Sequence, residues 1–256
     1  MIDIHSHILY GVDDGAETIE ESIKLLKQAE NIGYTDIVCS SHYYIGKFEN
    51  KNYNKNFELL KKEIKKNKIK IKIYKGNEFA LKEEGLKDIE KVNKVNLGNY
   101  LLIELKGMII YPICKKLFQE LLDNNIIPIF AHVERYPHIK QKELEELYHM
   151  GVVLQVNLKT ILDLPLKIKN LFNKRYIGIV ATDTHRFGKR DYDVREYLEK
   201  LEKIVGKEYF NLLTEENPRK ILNNEKIEKG RELDEIKKIN RNISIFSYLW
   251  NKLFRV

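Results

Sequence analysis

Six of the seven apolar, strand-like segments of this sequence end in, or are closely followed by, a histidine or a carboxylate. Imidazole and carboxylate groups are the ligand types that Zn, Mn and Fe take from proteins. A carboxylate at the end of a buried strand is destabilising unless it has a partner. The residues in these positions are His5, His7, His42, Glu78, Glu104, His132, Asp183 and His185. Together they predict a metal site, although any one histidine alone is more often an ordinary hydrogen-bonded residue.

Two pairs of these candidates are separated by a single residue. Residues i and i+2 of an extended segment point to the same side, so His5 and His7 can hold one ion together. Asp183 and His185 can do the same from the opposite side of a barrel. The remaining histidines, His138 and His149, lack such a position and are predicted to be surface residues.

The elements that would position these residues alternate along the chain. Short apolar segments rich in β-branched residues predict strands at 2–5, 36–40, 69–78, 100–104, 126–132, 152–157 and 177–182. Amphipathic stretches predict helices at 18–31, 51–67, 112–124, 141–150, 158–174 and 191–205. Strands that are apolar throughout and alternate with helices predict an α/β fold with a parallel sheet covered on both faces. A closed barrel explains this repeat and would bring the strand ends together at one face; a doubly wound open sheet is the alternative.

Composition fits one sizeable domain of a cytoplasmic protein. The 256 residues are 43% hydrophobic, and Lys+Arg exceed Asp+Glu by 45 to 38, a net charge of +7. This balance favours anionic partners, but the lysines are spread over helices and form no basic patch with aromatics, as a nucleic-acid groove would. Only two cysteines are present, with no signal peptide and no membrane-spanning apolar run.

The two cysteines also exclude one class of phosphatase. A cysteine-dependent enzyme needs an arginine six positions after the nucleophile, because the intervening loop cradles the phosphate over the thiolate. The sixth residue after Cys39 is Ile45, and the sixth after Cys114 is Glu120. Both cysteines are therefore predicted to be inert core residues.

Four motifs carry a resemblance to a known family. Residues 3–7 (Asp-Ile-His-Ser-His) and 11–16 (Gly-Val-Asp-Asp-Gly-Ala) resemble the opening of the polymerase-and-histidinol-phosphatase (PHP) superfamily. More narrowly, 132–136 (His-Val-Glu-Arg-Tyr) and 181–185 (Ala-Thr-Asp-Thr-His) are similar to segments of bacterial capsule-type manganese-dependent protein-tyrosine phosphatases. The resemblance spans residues 1 to about 225. Tyr10 and Val133 stand where proline is common, and Tyr43 and Tyr44 follow His42 where the family often has another histidine, which could alter substrate contacts.

The resemblance implies a distorted seven-stranded (β/α)7 TIM-like barrel, the PHP fold, with three divalent metal ions, manganese first and iron or zinc as alternatives. The first ion would be held by His5, His7, Glu78 and Asp183. Glu78 would bridge to the second ion, also bound by Glu104 and His132, and the third would be held by Asp14, His42 and His185. Asp14 is alternatively a helix cap or turn residue. Asp3 is expected to orient a ligand and Asp13 to form a turn.

The resemblance also implies catalytic and substrate-binding residues. Catalytic roles fall to His42, Asp183 and Arg135, with Arg135 also clamping the phosphate; its alternative is a surface ion pair with Glu134. Arg186 and Arg190, with Lys189, would attract an anionic phosphopeptide, or would lie in a solvated loop.

The implied function is hydrolysis of phosphotyrosine, on a membrane-associated bacterial tyrosine kinase that controls capsule or exopolysaccharide synthesis. Alternatives are a histidinol phosphatase or another small-molecule phosphoesterase of the superfamily, a nuclease or nucleic-acid-binding module, and an inactive interaction protein. We expect a catalytic domain at 1–225 and a C-terminal extension at 226–256. Its amphipathic segment 243–256 would pack on the barrel or another subunit, or contact an acidic membrane. The oligomeric state stays open.

Overall fold

The computed structural model describes residues 1–82 and 85–227, which form an α/β fold of parallel sheets and helices. Nine strands lie within this part of the chain. They are β1 (Ile2–Ser6), β2 (Asp36–Cys39), β3 (His42–Tyr43), β4 (Lys72–Lys75), β5 (Glu78–Leu81), β6 (Tyr100–Leu105), β7 (Ile127–Phe130), β8 (Val153–Asn157) and β9 (Ile177–Ala181). All the predicted strand regions thus contain a strand, and β3 and β5 are additional.

The strands form two sheets in which every pairing is parallel. One sheet has the order β1-β2-β4 and the other the order β3-β5-β6-β7-β8-β9. The second order follows the chain without the reversal that a doubly wound sheet requires. Beyond β9 the chain returns to β1, where His7 N donates to Thr184 O at 2.7 Å and Asp183 N donates to His5 O at 2.8 Å.

The predicted closed ladder of seven strands is not found among the described residues, because the strands divide into two sheets between β2 and β3 and between β4 and β5. The strand predicted at 69–78 ends as β4 at Lys75 and resumes as β5 at Glu78, so Glu78 begins a strand instead of ending one. A Cβ at Gly76 would lie 2.5 Å from Val38 Cγ1, so only glycine fits where the chain bends. The strand predicted at 36–40 is found as β2, and two residues separate it from the additional strand β3 in the other sheet.

Helices cover the outside of the sheets. They are α1 (Ile19–Asn31), α2 (Tyr53–Lys66), α3 (Tyr111–Asp123), α4 (Gln141–Met150), α5 (Leu166–Asn173), α6 (Arg195–Val205), α7 (Lys207–Asn211) and α8 (Asn217–Leu222). The single helix predicted at 158–174 is wrong: a 3₁₀ helix, Leu158–Asp163, precedes α5. Pro165 separates the two because it lacks an N–H and restricts the residue before it.

The hydrophobic core contains the predicted apolar segments and both cysteines. Cys39 and Cys114 are fully buried among aliphatic and aromatic side chains. None of the helices in the described part of the chain has the length and apolar composition needed to cross a bilayer. The boundary predicted at 225/226 stays a prediction, and the segment 243–256 lies outside the described residues.

Asn77 joins the two strand breaks. Its amide donates to Ser41 O at 2.8 Å and accepts from Asn93 N at 2.8 Å, and it exchanges two hydrogen bonds with the amide of Asn50, at 2.9 and 3.0 Å. Because Ser41 and Asn77 immediately precede His42 and Glu78, this fully buried amide fixes the relative position of two candidate ligands.

Replacing Asn77 by alanine should therefore destabilise the fold. Several buried donors and acceptors would lose their partner, which lowers the free energy of unfolding by roughly 2–4 kcal/mol. Urea unfolding followed by circular dichroism measures the change, and Asn54→Ala, at an exposed asparagine of α2, is the control. Equal midpoints for the two variants would contradict this role of Asn77.

Candidate metal centre

The structure brings all nine predicted metal ligands together at one end of the sheets. Two lie at the end of β1, one begins β3, one begins β5, one lies near the end of β6, and three follow β7 or β9; Asp14 lies in the loop before α1. They form four overlapping groups whose ligand atoms lie within 4.8 Å of one another. The groups are His5, His7 and Asp183; His5, Glu78 and His132; His42, Glu78 and Glu104; and His7, Asp14, His42 and His185.

The fully buried carboxylate of Glu78 lies at the centre of this cluster. Its Oε1 is 2.8 Å from His132 Nε2. Its Oε2 is 3.1 Å from His42 Nδ1 and 3.4 Å from the Nε2 atoms of both His5 and His7. One carboxylate therefore contacts four imidazoles, two from the end of β1, one from β3 and one from the chain after β7.

The unsatisfied atoms of the cluster fit divalent cations. His42 Nδ1 and Glu104 Oε1 are 3.1 Å apart and buried, yet neither makes a hydrogen bond within the described residues. His5 Nε2 and His7 Nε2 face each other at 3.3 Å, and Asp183 Oδ1 lies 3.3 and 3.6 Å from them. Two facing ring nitrogens beside a carboxylate oxygen form a donor set that a cation between them would satisfy.

The carboxylates of the cluster also favour positive charge on neighbouring groups, because they raise the pKa of two histidines. Burial lowers the pKa of His42, but Glu104 and Glu78 together raise it to about 11. Burial likewise lowers the pKa of His7, while Asp13 raises it, to about 9 overall. Both shifts favour the protonated imidazole, and a bound cation would compete with these protons.

Asp13 does more than form the predicted turn. Its Oδ2 lies 2.7 Å from His7 Nδ1 and accepts from His42 N at 2.8 Å, while its Oδ1 accepts from Gly15 N at 3.0 Å. A carboxylate on one ring nitrogen orients the imidazole and leaves Nε2 for a metal. The turn lies so close to β1 that a Cβ on Gly15 would be 2.1 Å from the His7 carbonyl oxygen.

Gln155 and Asn157 are supporting residues that sequence reasoning missed. Gln155 Oε1 lies 3.2 Å from His5 Nδ1 and accepts from His132 N at 2.8 Å. Gln155 also donates to Asn157 Oδ1 at 2.9 Å, and Asn157 Nδ2 donates to Asp183 Oδ2 at 2.8 Å. The available signal was two amides at alternate positions of the otherwise apolar strand β8, which place both on one face.

Asp3 acts on the backbone near the site. Its carboxylate accepts from His5 N at 3.2 Å, from the Thr182 hydroxyl at 2.5 Å and from the Tyr192 hydroxyl at 2.8 Å. It therefore joins β1 to the chain after β9, where the ligand Asp183 follows.

Two of the candidate ligands adopt left-handed backbone conformations. His132 has φ = 34° and Asp183 has φ = 54°. Such values are uncommon outside glycine and cluster at functional sites, where the surrounding structure holds them. Each follows the end of an apolar strand, and the turn keeps the polar side chain in the cluster.

The arginines fall into two groups. Arg135 Nη2 donates to Asp183 Oδ2 at 2.8 Å, and Arg190 pairs with the same carboxylate and donates to Asp183 O at 3.0 Å. Both side chains are 44% exposed. The Arg135 guanidinium is thus paired with Asp183, and Glu134 accepts instead from Asn157 N at 3.2 Å.

Arg186 lies elsewhere, at the beginning of α1. It donates to Glu21 Oε1 at 3.0 Å and to Glu17 Oε1 at 2.5 Å. Arg186 is thus paired with two carboxylates away from the ligand groups, and its predicted contact with substrate stays a prediction. His138 and His149 belong to none of the ligand groups.

Replacing Glu78 by glutamine should weaken metal binding. The amide keeps the shape but removes the charge that contacts four imidazoles. A cation at about 100 times its Kd stabilises the native state by about 2.7 kcal/mol, so Mn²⁺ should raise the Tm of the parent chain clearly and that of Glu78→Gln by less than half as much. Glu146→Gln, at an exposed carboxylate paired with Lys115, is the control. An unchanged Mn²⁺ response in Glu78→Gln would contradict the central position of this carboxylate.

Comparison with known proteins places this cluster in a family. Residues 1–223 match the family described as capsular polysaccharide synthesis, CpsB/CapC. CapC of Staphylococcus aureus is 33% identical over 90% of this chain and 94% of CapC. The tyrosine-protein phosphatase CpsB of Streptococcus agalactiae is 31% identical over 88% of this chain and 99% of CpsB.

A solved structure gives the same result in three dimensions. It comes from the crystal structures of YwqE from Bacillus subtilis and CpsB from Streptococcus pneumoniae, described as unique metal-dependent tyrosine phosphatases. The TM-score is 0.80 at 29% identity, over 90% of this chain and 97% of the matched chain.

Proposed function

The chain belongs to the CpsB/CapC family of capsular polysaccharide synthesis, and from that premise we propose that it is a metal-dependent protein-tyrosine phosphatase. The observation that carries this function is the gathering of nine imidazole and carboxylate ligands beside two half-exposed arginines. A phosphomonoester is doubly negative, so its hydrolysis needs a site that concentrates positive charge.

We extend the proposal to three manganese ions, with iron or zinc as alternatives. The ligand sets are those predicted from the sequence, and His7 is an additional candidate for the third because it groups with Asp14, His42 and His185. Bound ions would polarise the phosphoryl oxygens and lower the pKa of a bound water.

The residues of the chain would bind and orient the ester. Arg135 and Arg190 present guanidinium groups that match the oxygens of a phosphate. Asp183 connects these arginines to the ligands, since its Oδ2 contacts Arg135 while its Oδ1 faces His5 and His7. With His42 they form the proposed catalytic set. The leaving group of phosphotyrosine is a phenolate, whose conjugate acid has a pKa of about 10. It therefore needs less protonation on leaving than the alkoxide of a phosphoserine does.

The cysteines support a mechanism that does not use a thiolate. Burial raises the pKa of both Cys39 and Cys114, to about 12 for Cys114. Both side chains are fully buried. Neither thiol is therefore available as a nucleophile near neutral pH.

The proposal includes the barrel architecture. If β2 with β3, and β4 with β5, are each counted as one bent strand, the nine strands occupy seven positions around a distorted barrel. The hydrogen bonds between β1 and residues 183–184 support closure of this arrangement.

We propose that the substrate is a membrane-associated bacterial tyrosine kinase that controls capsule or exopolysaccharide synthesis. The chain would act on it from the cytoplasm. The family description supports this substrate, and the two free, buried cysteines support a reducing compartment. Peripheral membrane contact through 243–256 stays a prediction from the sequence.

The decisive comparison is kinetic. With Mn²⁺, kcat/KM should be highest for a phosphotyrosyl peptide, lower for the matching phosphoseryl peptide and for histidinol phosphate, and chelation should abolish turnover. A preference for histidinol phosphate would favour the small-molecule phosphoesterase instead, and turnover that survives chelation would contradict metal dependence.

Arg135→Ala should lower kcat/KM for an aryl phosphate by about 10²-fold or more, because a charge-assisted contact with the phosphate is lost. Bound manganese, measured by atomic absorption, should stay at the parent level. Arg186→Gln is the matched control, and its kcat/KM should stay within about twofold of the parent. If both variants behave alike, Arg135 has no special role in binding phosphate.

A further inference from the structure

A short turn after β3 places two aromatic rings at the edge of the metal centre. Tyr44 N donates to Phe48 O at 2.7 Å and Phe48 N donates to Tyr44 O at 2.8 Å, which closes the turn. The Phe48 ring stacks on the His42 imidazole, with centroids 5.9 Å apart and planes 13° apart. Both aromatic side chains are half-buried. One face of the centre is therefore bordered by aromatic surface.

Three lysines lie over these two rings. Lys82 Nζ and Lys106 Nζ are 4.6 and 5.9 Å from the Tyr44 centroid, and Lys47 Nζ is 4.8 Å from the Phe48 centroid. These distances are typical of cation–π contacts. The residues converge because β3, β5 and β6 are neighbours in the sheet, and Tyr44, Lys82 and Lys106 each follow the end of one of them. We call Tyr44, Phe48, Lys47, Lys82 and Lys106 the aromatic–lysine rim.

The rim carries more positive charge than its described neighbours balance. Lys106 Nζ pairs with Glu104 Oε2 at 2.7 Å. Within residues 1–82 and 85–227, no carboxylate oxygen lies within 4.0 Å of the ammonium of Lys47 or of Lys82; Glu83 and Glu84 lie outside these residues. Ammonium groups gathered on one ring repel each other, and an anion placed between them relieves the repulsion.

The rim and the arginines border different sides of the same centre. Arg135 and Arg190 follow β7 and β9, whereas the rim follows β3, β5 and β6. The rim also contacts two candidate ligands, through Phe48 on His42 and Lys106 on Glu104. Consecutive Cα atoms are about 3.8 Å apart, so a peptide with its phosphotyrosine in the centre can bring a neighbouring side chain to the rim.

We propose that the aromatic–lysine rim binds a carboxylate side chain next to the phosphotyrosine, so that the chain prefers acidic phosphotyrosyl peptides. This inference rests on the proposed phosphatase function and adds the substrate class. The carboxylate lies between the ammonium groups, and the methylene groups of the aspartate or glutamate pack on the Tyr44 and Phe48 rings.

The proposal is tested with two phosphotyrosyl peptides that differ only in carrying flanking glutamates or flanking glutamines. The quantity measured is the ratio of kcat/KM for the acidic peptide to kcat/KM for the neutral one, in the Mn²⁺-loaded chain. At low ionic strength the acidic peptide should be favoured by about three- to fivefold, the upper part of the range of exposed ion pairs, and the preference should shrink in high salt. Lys82→Gln and Tyr44→Leu should each bring the ratio near unity. Lys169→Gln, which makes the same charge change on the outer helix α5, should leave the ratio unchanged.

Equal kcat/KM for the two peptides in the parent chain would overturn the proposal that the rim binds a carboxylate. A ratio that Lys82→Gln leaves unchanged would also overturn it. The small ester 4-nitrophenyl phosphate separates this result from a failure of the proposed function. If the parent chain with Mn²⁺ hydrolyses neither peptide nor the small ester, the phosphatase function fails and the rim inference fails with it.

Discussion

The structure depends on one buried carboxylate, Glu78, surrounded by four imidazoles. An ionised group without compensating charge is costly in a protein interior, so this arrangement needs positive charge from protons or from cations. The break between β4 and β5 lies directly before Glu78 and so sets the position of this carboxylate among the imidazoles. At that point the chain leaves one sheet, passes Gly76 and Asn77, and begins the next sheet with Glu78 beside His42.

Around this carboxylate, neutral groups do most of the positioning. Gln155 and Asn157 hold candidate ligands by hydrogen bonds without adding charge, while the carboxylate of Asp13 contacts His7 and that of Asp3 holds the backbone of His5. Asp183 faces the imidazoles of His5 and His7 with one carboxylate oxygen and contacts both arginines with the other. In the proposed phosphatase this one side chain would couple the geometry of the metal ligands to the binding of phosphate, and its backbone has the left-handed φ of 54°.

The sequence was sufficient to predict which residues lie at the strand ends. It was insufficient to predict where the strands break. Apolar runs identify β1, β6, β8 and β9 within a few residues, because burial on both faces leaves a clear pattern. The pattern cannot show that 69–78 bends at Gly76, where the backbone lies too close to the side chain of Val38, far away in the sequence, for a Cβ to fit. Arg186 illustrates the same limit: its neighbour His185 suggested the centre, but Glu17 and Glu21 take its guanidinium.

The most direct test of the account is an anomalous difference map from crystals of the chain grown with Mn²⁺. The account predicts peaks inside the cluster at about 2.0–2.3 Å from imidazole nitrogens and carboxylate oxygens, with Glu78 contacting two of them and Asp183 one. A map with manganese only outside the cluster, or with none among these residues, would contradict the claim that Glu78 and its imidazoles are built to hold metal.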